Sequence, residues 1–297
     1  MLFKDYKPRQ MILTLLALSI FLFLFTGCGG DRTSPAQPDS KIGEQAVYFS
    51  GDGLTGESRM RLSDMLELPE AGFEHVYSTI NNWPSPKMYA ARGVRLPVLL
   101  QEAGIKDEAR TITVKGLNDF SWSFTREQLL TTPRYYYPGL AAGETAGAQP
   151  VEAILAYQYR EDSSDLSEAE DNPLCLIVPQ ANVSEQTNIA FVKGVSEIVV
   201  AAEDPGQWPV ATVFPNEGTI APGETIKLQH QDLGKVKMYY TLDGSTPDEN
   251  SVLYNPSTYQ PELNKPIAPD GDVVIKVLVK GFGKYDSDVA AYHFQVR

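Results

Sequence analysis

Cysteine and histidine are scarce in this 297-residue chain, with two of the first and three of the second, and their scarcity closes off several chemistries. Two cysteines cannot build a disulfide framework. His75, His230 and His293 stand far apart, none with the spacing that a zinc site needs, so no metal-ligand set is expected. The chain has no phosphate-cradling glycine loop, no Ser-His-Asp constellation and no EF-hand pattern. Residues 161–171, acidic and rich in serine, read as a solvated loop. Basic charge is also short: 25 Lys and Arg face 38 Asp and Glu, a net charge of −13. Such a surface does not neutralise phosphates, which excludes nucleic acid as a partner. These absences leave the catalytic residues unknown.

Long apolar runs are scarce as well. The run at residues 11–25 falls short of the roughly 20 residues a bilayer span needs. It follows Lys4, Lys7 and Arg9, which outnumber Asp5, and it precedes Thr26-Gly27-Cys28. A basic start, an apolar core and small residues before a cut describe a signal peptide over residues 1–27. Cysteine at the cut makes this a lipobox, with Leu24 and Phe25 before it, and Cys28 is the expected lipidation site. Several acyl chains on one residue anchor stably where a single chain binds marginally. The expected location is therefore the extracytoplasmic face of a cell membrane, with the membrane as a partner through the lipid. Removing residues 1–27 takes a net +2 from a chain of −13, leaving −15. The segment Lys7-Pro8-Arg9-Gln10 has no twin arginine, so export as an unfolded chain is expected. Gly29, Gly30 and a run rich in Ser, Pro, Gln and Asp then read as a flexible tether, over residues 28–45.

The remainder is long enough for two modest domains. Over residues 46–203 helical and strand signals interleave. Short helices are expected from Ser63 to Leu68, from near Pro97 to Gly104, and after Thr125 as a cap. Strands are expected at 111–115, 120–124, 151–159, 174–178 and 197–200. The mixture reads as α+β. Pro205-Gly206-Gln207-Trp208-Pro209 marks a linker over residues 204–209. Beyond it, residues 210–297 show alternating strands and turns without helical periodicity, the pattern of an all-β Ig-like sandwich.

Two resemblances follow from specific segments. Met238-Tyr239-Tyr240-Thr241-Leu242-Asp243-Gly244-Ser245-Thr246-Pro247 and Leu253-Tyr254, with Pro215-Asn216-Glu217-Gly218-Thr219 and Ser287-Asp288-Val289-Ala290, are similar to the chitobiase/β-hexosaminidase C-terminal-type domain. That resemblance implies an accessory or spacer module, in which Asp243-Gly244 makes a tight turn and Ser245 and Thr246 bond its backbone. Gly93-Val94-Arg95-Leu96-Pro97-Val98-Leu99-Leu100-Gln101-Glu102-Ala103-Gly104-Ile105 resembles a segment of the sulfite oxidase-like molybdopterin-binding domain. The likeness continues at 111–114, 119–124, 127–130 and 191–198, so the expected class is a sulfite oxidase-like α+β domain over 46–203. It implies molybdopterin, oxidoreductase activity and a cysteine thiolate on molybdenum in a Cys-x-x-Asn segment. Matching that segment to Asn81 or Asn82 puts Ser78 or Thr79 where the cysteine belongs. A neutral hydroxyl is a poor substitute for a thiolate. Cys175 sits in the apolar run Leu174-Cys175-Leu176-Ile177-Val178 and reads as a small buried hydrophobe. For the phosphate of such a cofactor, Lys87, Arg92, Arg95 and Arg134 are available, none in a matching motif.

Two patches remain as a candidate pocket: Ser78, Thr79, Asn81, Asn82 and Trp83, and then Arg134, Tyr135 and Tyr136. Rings and amides of this kind can stack on a sugar or small ring and bond its edge. They can equally pack against their own domain. The expected function is that of a membrane-anchored lipoprotein, cofactor-free, with a binding or structural role. The competing readings are a molybdopterin-dependent oxidoreductase with an altered ligand set, and a glycan-binding or adhesion protein, with a cell-surface glycan or a small ligand as its partner.

Overall fold

The computed structural model describes residues 43–117, 119–257 and 263–297. The expected signal segment, the expected lipidation site Cys28 and the expected tether as far as residue 42 lie outside them. No helix among the described residues is long and apolar enough to cross a membrane.

The first half of the chain runs β1 (Ala46–Ser50), β2 (Ser58–Arg61), α1 (Leu62–Glu67), β3 (Gly72–Ile80), β4 (Pro86–Arg95), α2 (Leu96–Glu102), β5 (Thr111–Gly116), β6 (Ser121–Thr125) and α3 (Arg126–Leu130). It continues with β7 (Tyr135–Tyr136), β8 (Gln149–Pro150), β9 (Ile154–Glu161), β10 (Glu170–Ile177), β11 (Val192–Lys193) and β12 (Val195–Ala201). Two five-stranded sheets result, ordered β2-β1-β12-β5-β6 and β11-β10-β9-β4-β3. In the first sheet burial alternates: Val47 and Phe49 point inward with Tyr48 outward, and Ile112 and Val114 do the same on β5. That period-two pattern is the mark of a sheet with one covered face. In the second, β4, β9 and β10 hold runs of consecutive buried residues such as Leu174 to Ile177, as strands covered on both faces do. Both sheets feed one core, with Phe49, Ile112 and Phe124 from the first meeting Tyr77, Tyr89 and Leu155 from the second. Each such side chain contributes about 1.5–3 kcal/mol by leaving water.

The α+β expectation for this half is overturned. Among the described residues the α-helices number three, of five to seven residues each, and strands dominate. The helix signals themselves were sound but locally capped. Thr125 accepts from Gln128 N at 3.2 Å while Gln128 Oε1 takes the Thr125 amide at 2.9 Å, a capping box around a helix that ends at Leu130. Pro97 lies in the first turn of α2, and Gly104 at φ +76° ends it where any side chain would collide with Thr55. The cap of α1 is Arg61, with Ser63 inside the first turn. What tipped the balance was β3 and β4, a hairpin of nine and ten residues paired from Gly72–Val94 to Ile80–Pro86. Its polar residues fall on both parities, so no alternation announces it.

The second half runs β13 (Thr212–Phe214), β14 (Gly218–Ile220), β15 (Lys227–Gln229), β16 (Val236–Thr241), β17 (Val252–Leu253), β18 (Val273–Gly281) and β19 (Ala290–Val296). A two-stranded sheet, β13-β15, faces a five-stranded one, β14-β19-β18-β16-β17. Val213, Leu228, Met238, Ile275, Val277 and Phe294 belong to a core separate from the first. Both cores lie in a single compact unit of the chain. Gln128 ties them: besides serving the α3 cap, its amide donates to Gly281 O at 2.9 Å and its Oε1 accepts from Gly283 N at 2.9 Å. Phe124 and Phe282 meet across the same seam, ring centroids 5.2 Å apart.

Candidate functional site

Ser78 and Thr79 end β3 with fully buried side chains. The Ser78 hydroxyl donates to Gln180 Oε1 at 2.7 Å and accepts from Tyr137 N at 2.9 Å. Gln180 in turn donates to the Val183 and Glu185 carbonyls. Thr79 shares a 2.7 Å hydrogen bond with Thr187. Both hydroxyls are thus consumed in internal bonds. Cys175 is buried in β10, and burial pushes its thiol up to about 12, so the thiolate that a soft metal needs is not formed. Among the described residues no three of His, Cys, Asp and Glu come together to hold a metal ion. Among the described residues a molybdopterin-type centre would find no thiolate ligand, and the donors present there do not fit it.

Arg134 is also committed internally. Only 5% exposed, it donates from Nε to Gln128 O at 2.7 Å, and from Nη1 to Pro179 O at 2.6 Å and Glu185 Oε2 at 3.0 Å. Tyr135 and Tyr136 are half-buried in β7. Tyr136 packs edge-on to His75, centroids 5.3 Å apart, and Tyr135 bonds Gln180 O through its amide. Ser78 and the tyrosine run therefore do meet, through Tyr137 and Gln180, but as framework.

The other patch opens to solvent. At the β3–β4 turn, Asn81 Oδ1 accepts from the amides of Trp83 and Ser85 at 2.9 and 3.0 Å, an Asx turn that holds Trp83 outward, 56% exposed. Asn82 turns inward, and its buried Oδ1 has no hydrogen-bond partner among the described residues. Facing this turn across a cleft of about 710 Å³ are Phe120 and Trp122, their rings stacked 6.1 Å apart. They occupy alternate positions leading into and along β6 and so share one face. Asn188 lines the cleft and donates to Tyr89 Oη at 3.1 Å. At the rim Lys87 pairs with Glu161 and Asp162, each at 2.9 Å. Burial opposes ionisation of Glu161, but bonds from Lys87 and Tyr89 outweigh it and hold its carboxyl below the usual value. Sequence reasoning found Asn81, Asn82 and Trp83, and read Phe120 and Trp122 as strand residues. An aromatic pair two apart beside a turn, with serine between, was the available signal.

A second cavity, of about 500 Å³, lies between the two cores. Lys237 of β16 lines it, hydrogen-bonded to the Asn255 and Pro256 carbonyls at 3.1 and 3.4 Å. No carboxylate forms an ion pair with it among the described residues, and burial lowers its amine to about 8. The unfolded chain therefore binds this proton more strongly than the folded one. Stability should rise with pH between about 8 and the ordinary lysine value, and at neutral pH the buried charge is a cost. Lys237→Met should stabilise the fold by about 2 kcal/mol at pH 7 and much less at pH 10. Urea unfolding at both values measures this, and equal gains at the two would refute it.

Residues 226–294 match a family described as Fn3 associated. Among solved structures, the sulfane dehydrogenase SoxCD from Paracoccus pantotrophus is similar at 14% identity and a TM-score of 0.35, over 82% of this chain and 68% of that one. No curated protein matches the chain.

Proposed function

We propose that this chain is a lipid-anchored extracytoplasmic protein that binds a glycan in the cleft of Trp83, Phe120 and Trp122, and performs no redox chemistry of its own. The observation that carries the reading is a cleft lined by two exposed rings, Trp83 and Phe120, by the half-buried ring of Trp122, and by Asn82, whose buried amide oxygen has no partner among the described residues. Sugar rings present C–H faces that stack on such aromatics, and their hydroxyls donate to such an acceptor. Anchoring is supported by the basic, apolar and Thr26-Gly27-Cys28 sequence at the start of the chain. Cys28→Ser should release the protein from the membrane fraction. The module over residues 210–297, read as a chitobiase-type accessory unit, would carry the binding half.

The test is calorimetric titration of the purified mature chain with hexasaccharides, neutral and acidic. Binding is expected, and Trp122→Ala should weaken it about tenfold, the scale of one lost stacking contact. Retention of no sugar by the intact protein would sink the reading. Stoichiometric molybdenum and pterin in protein purified from its native membrane would sink the non-redox part.

A further inference from the structure

We propose that the aromatic cleft and the cavity between the two cores form one groove for an extended acidic glycan, whose sugar rings lie on Trp83, Phe120 and Trp122 and whose carboxylate meets Lys235 and Lys237. The proposal rests on the reading of the cleft as a glycan site and adds the length and charge of what it takes.

Continuity is the first argument. Ile189, Gly234 and Lys235 line both cavities, so the two abut at the turn before β16. The aromatic row points the same way. Phe120 and Trp122 line the open cleft, and Phe124, next along that face but fully buried in the first core, meets Phe282, which lines the second cavity. Cavities of about 710 and 500 Å³ are each the size of a drug-sized ligand's site, so a run of sugars rather than one unit fills both.

Unmet hydrogen bonding is the second. Asn82 Oδ1 in the cleft and Gln186 Oε1 in the inner cavity are buried acceptors without partners, on side chains 7% exposed. The orientation of Gln186 is set by its Nε2, which donates to Pro256 O at 2.7 Å. Buried carbonyls of this kind are ordinarily satisfied, and each is costly if left so. Hydroxyl donors at both ends of one chain-like ligand would meet both.

Charge decides the class of ligand. Along the groove Glu161 is paired with Lys87, Glu185 with Arg134, and Glu249 and Asp286 with Lys280. Lys235 and Lys237 form no ion pair among the described residues, and Lys237 is held by two backbone carbonyls that leave its charge uncompensated. Among the described residues Lys235 and Lys237 outnumber the one carboxylate of the lining without an ion pair, Glu127, and this local excess of positive charge stands out in a chain of net charge −13. A carboxylate supplies the missing partner with charge-assisted hydrogen bonds.

The mature chain should be titrated with hexamers of galacturonate, mannuronate and guluronate, with hexamers of glucose, mannose and N-acetylglucosamine, with the uronate dimers, and with a hexaglutamate peptide. At least one uronate hexamer should bind tenfold or more tightly than every neutral hexamer, than its own dimer and than the peptide. Lys237→Met should remove most of that preference. Because that substitution is expected to stabilise the fold, its loss of binding is not a folding defect. Neutral hexamers that bind through Trp122 with no uronate binding tighter would overturn the groove and leave the cleft standing. Equal affinity for dimer and hexamer, or for the peptide and the best uronate, would also overturn it. Binding that ignores Trp122→Ala, or no binding at all, would overturn both readings.

Discussion

Arg134→Met is expected to destabilise the mature chain by about 3–5 kcal/mol, the range for removing one partner of a buried ion pair. The guanidinium is nearly enclosed and holds three groups from two directions: the Gln128 carbonyl at the end of α3, the Pro179 carbonyl, and the Glu185 carboxylate. Methionine fills comparable volume, so the loss is of hydrogen bonds and charge, with little cavity term. Glu185 would keep the Ala181 amide as donor but lose its cation, and two carbonyls would be left under-satisfied in a poorly hydrated seam. A chain of this size shifts by about 2–4 °C per kcal/mol, so a melting temperature lower by roughly 10 °C is the readout. A shift under 2 °C would instead favour Arg134 as a ligand-facing cation, the role its sequence neighbourhood suggested.

Asn255→Leu should cost about 3–4 kcal/mol, from the desolvation of two backbone groups. Strand β17 pairs with β16 only opposite Tyr239 and Tyr240. Past that point the Asn255 side chain takes over the ladder: Oδ1 accepts from Met238 N at 2.7 Å and Nδ2 donates to Val236 O at 2.7 Å. The side chain is fully buried, so no water replaces it when leucine does. The amide has both a donor and an acceptor, and an aspartate at this site would keep only the acceptor. Asn255→Asp should therefore also destabilise, more at neutral pH than at pH 4. Denaturant unfolding of the mature chain reads both, and a leucine variant within 1 kcal/mol of the parent would show that the ladder does not need this side chain.

The strands that alternate were legible from the residues. Val273, Ile275, Val277 and Val279 of β18, and Ile112 and Val114 of β5, face their cores at the period the sequence shows. The β3–β4 hairpin was not legible. Glu74, Ser78 and Thr79 interrupt its apolar pattern, and the last two are buried because Gln180, Tyr137 and Thr187 arrive from distant segments to bond them. The candidate site divides along the same line. Asn81, Asn82 and Trp83 form a local turn and could be singled out from adjacent residues. Lys237 and Gln186 become interesting through enclosure, which arises where two cores abut and leaves no trace in either sequence neighbourhood. Arg134 drew attention in the sequence as a cation among tyrosines, and its bonds to residues 128, 179 and 185 come together only in the fold.

The amide of Gln128 has a mechanical consequence. The same oxygen that closes the first turn of α3 receives Gly283 N, and the nitrogen beside it grips Gly281 O. A load pulling the two cores apart cannot open the seam and spare the helix. Tension carried by the Gln128 side chain falls directly on its bond to the Thr125 amide, and a five-residue helix that loses half of its capping box has few internal bonds left to hold it. Separation and helix melting are then one yielding event, so the seam should fail abruptly under tension, as a latch does, and not by gradual swivelling.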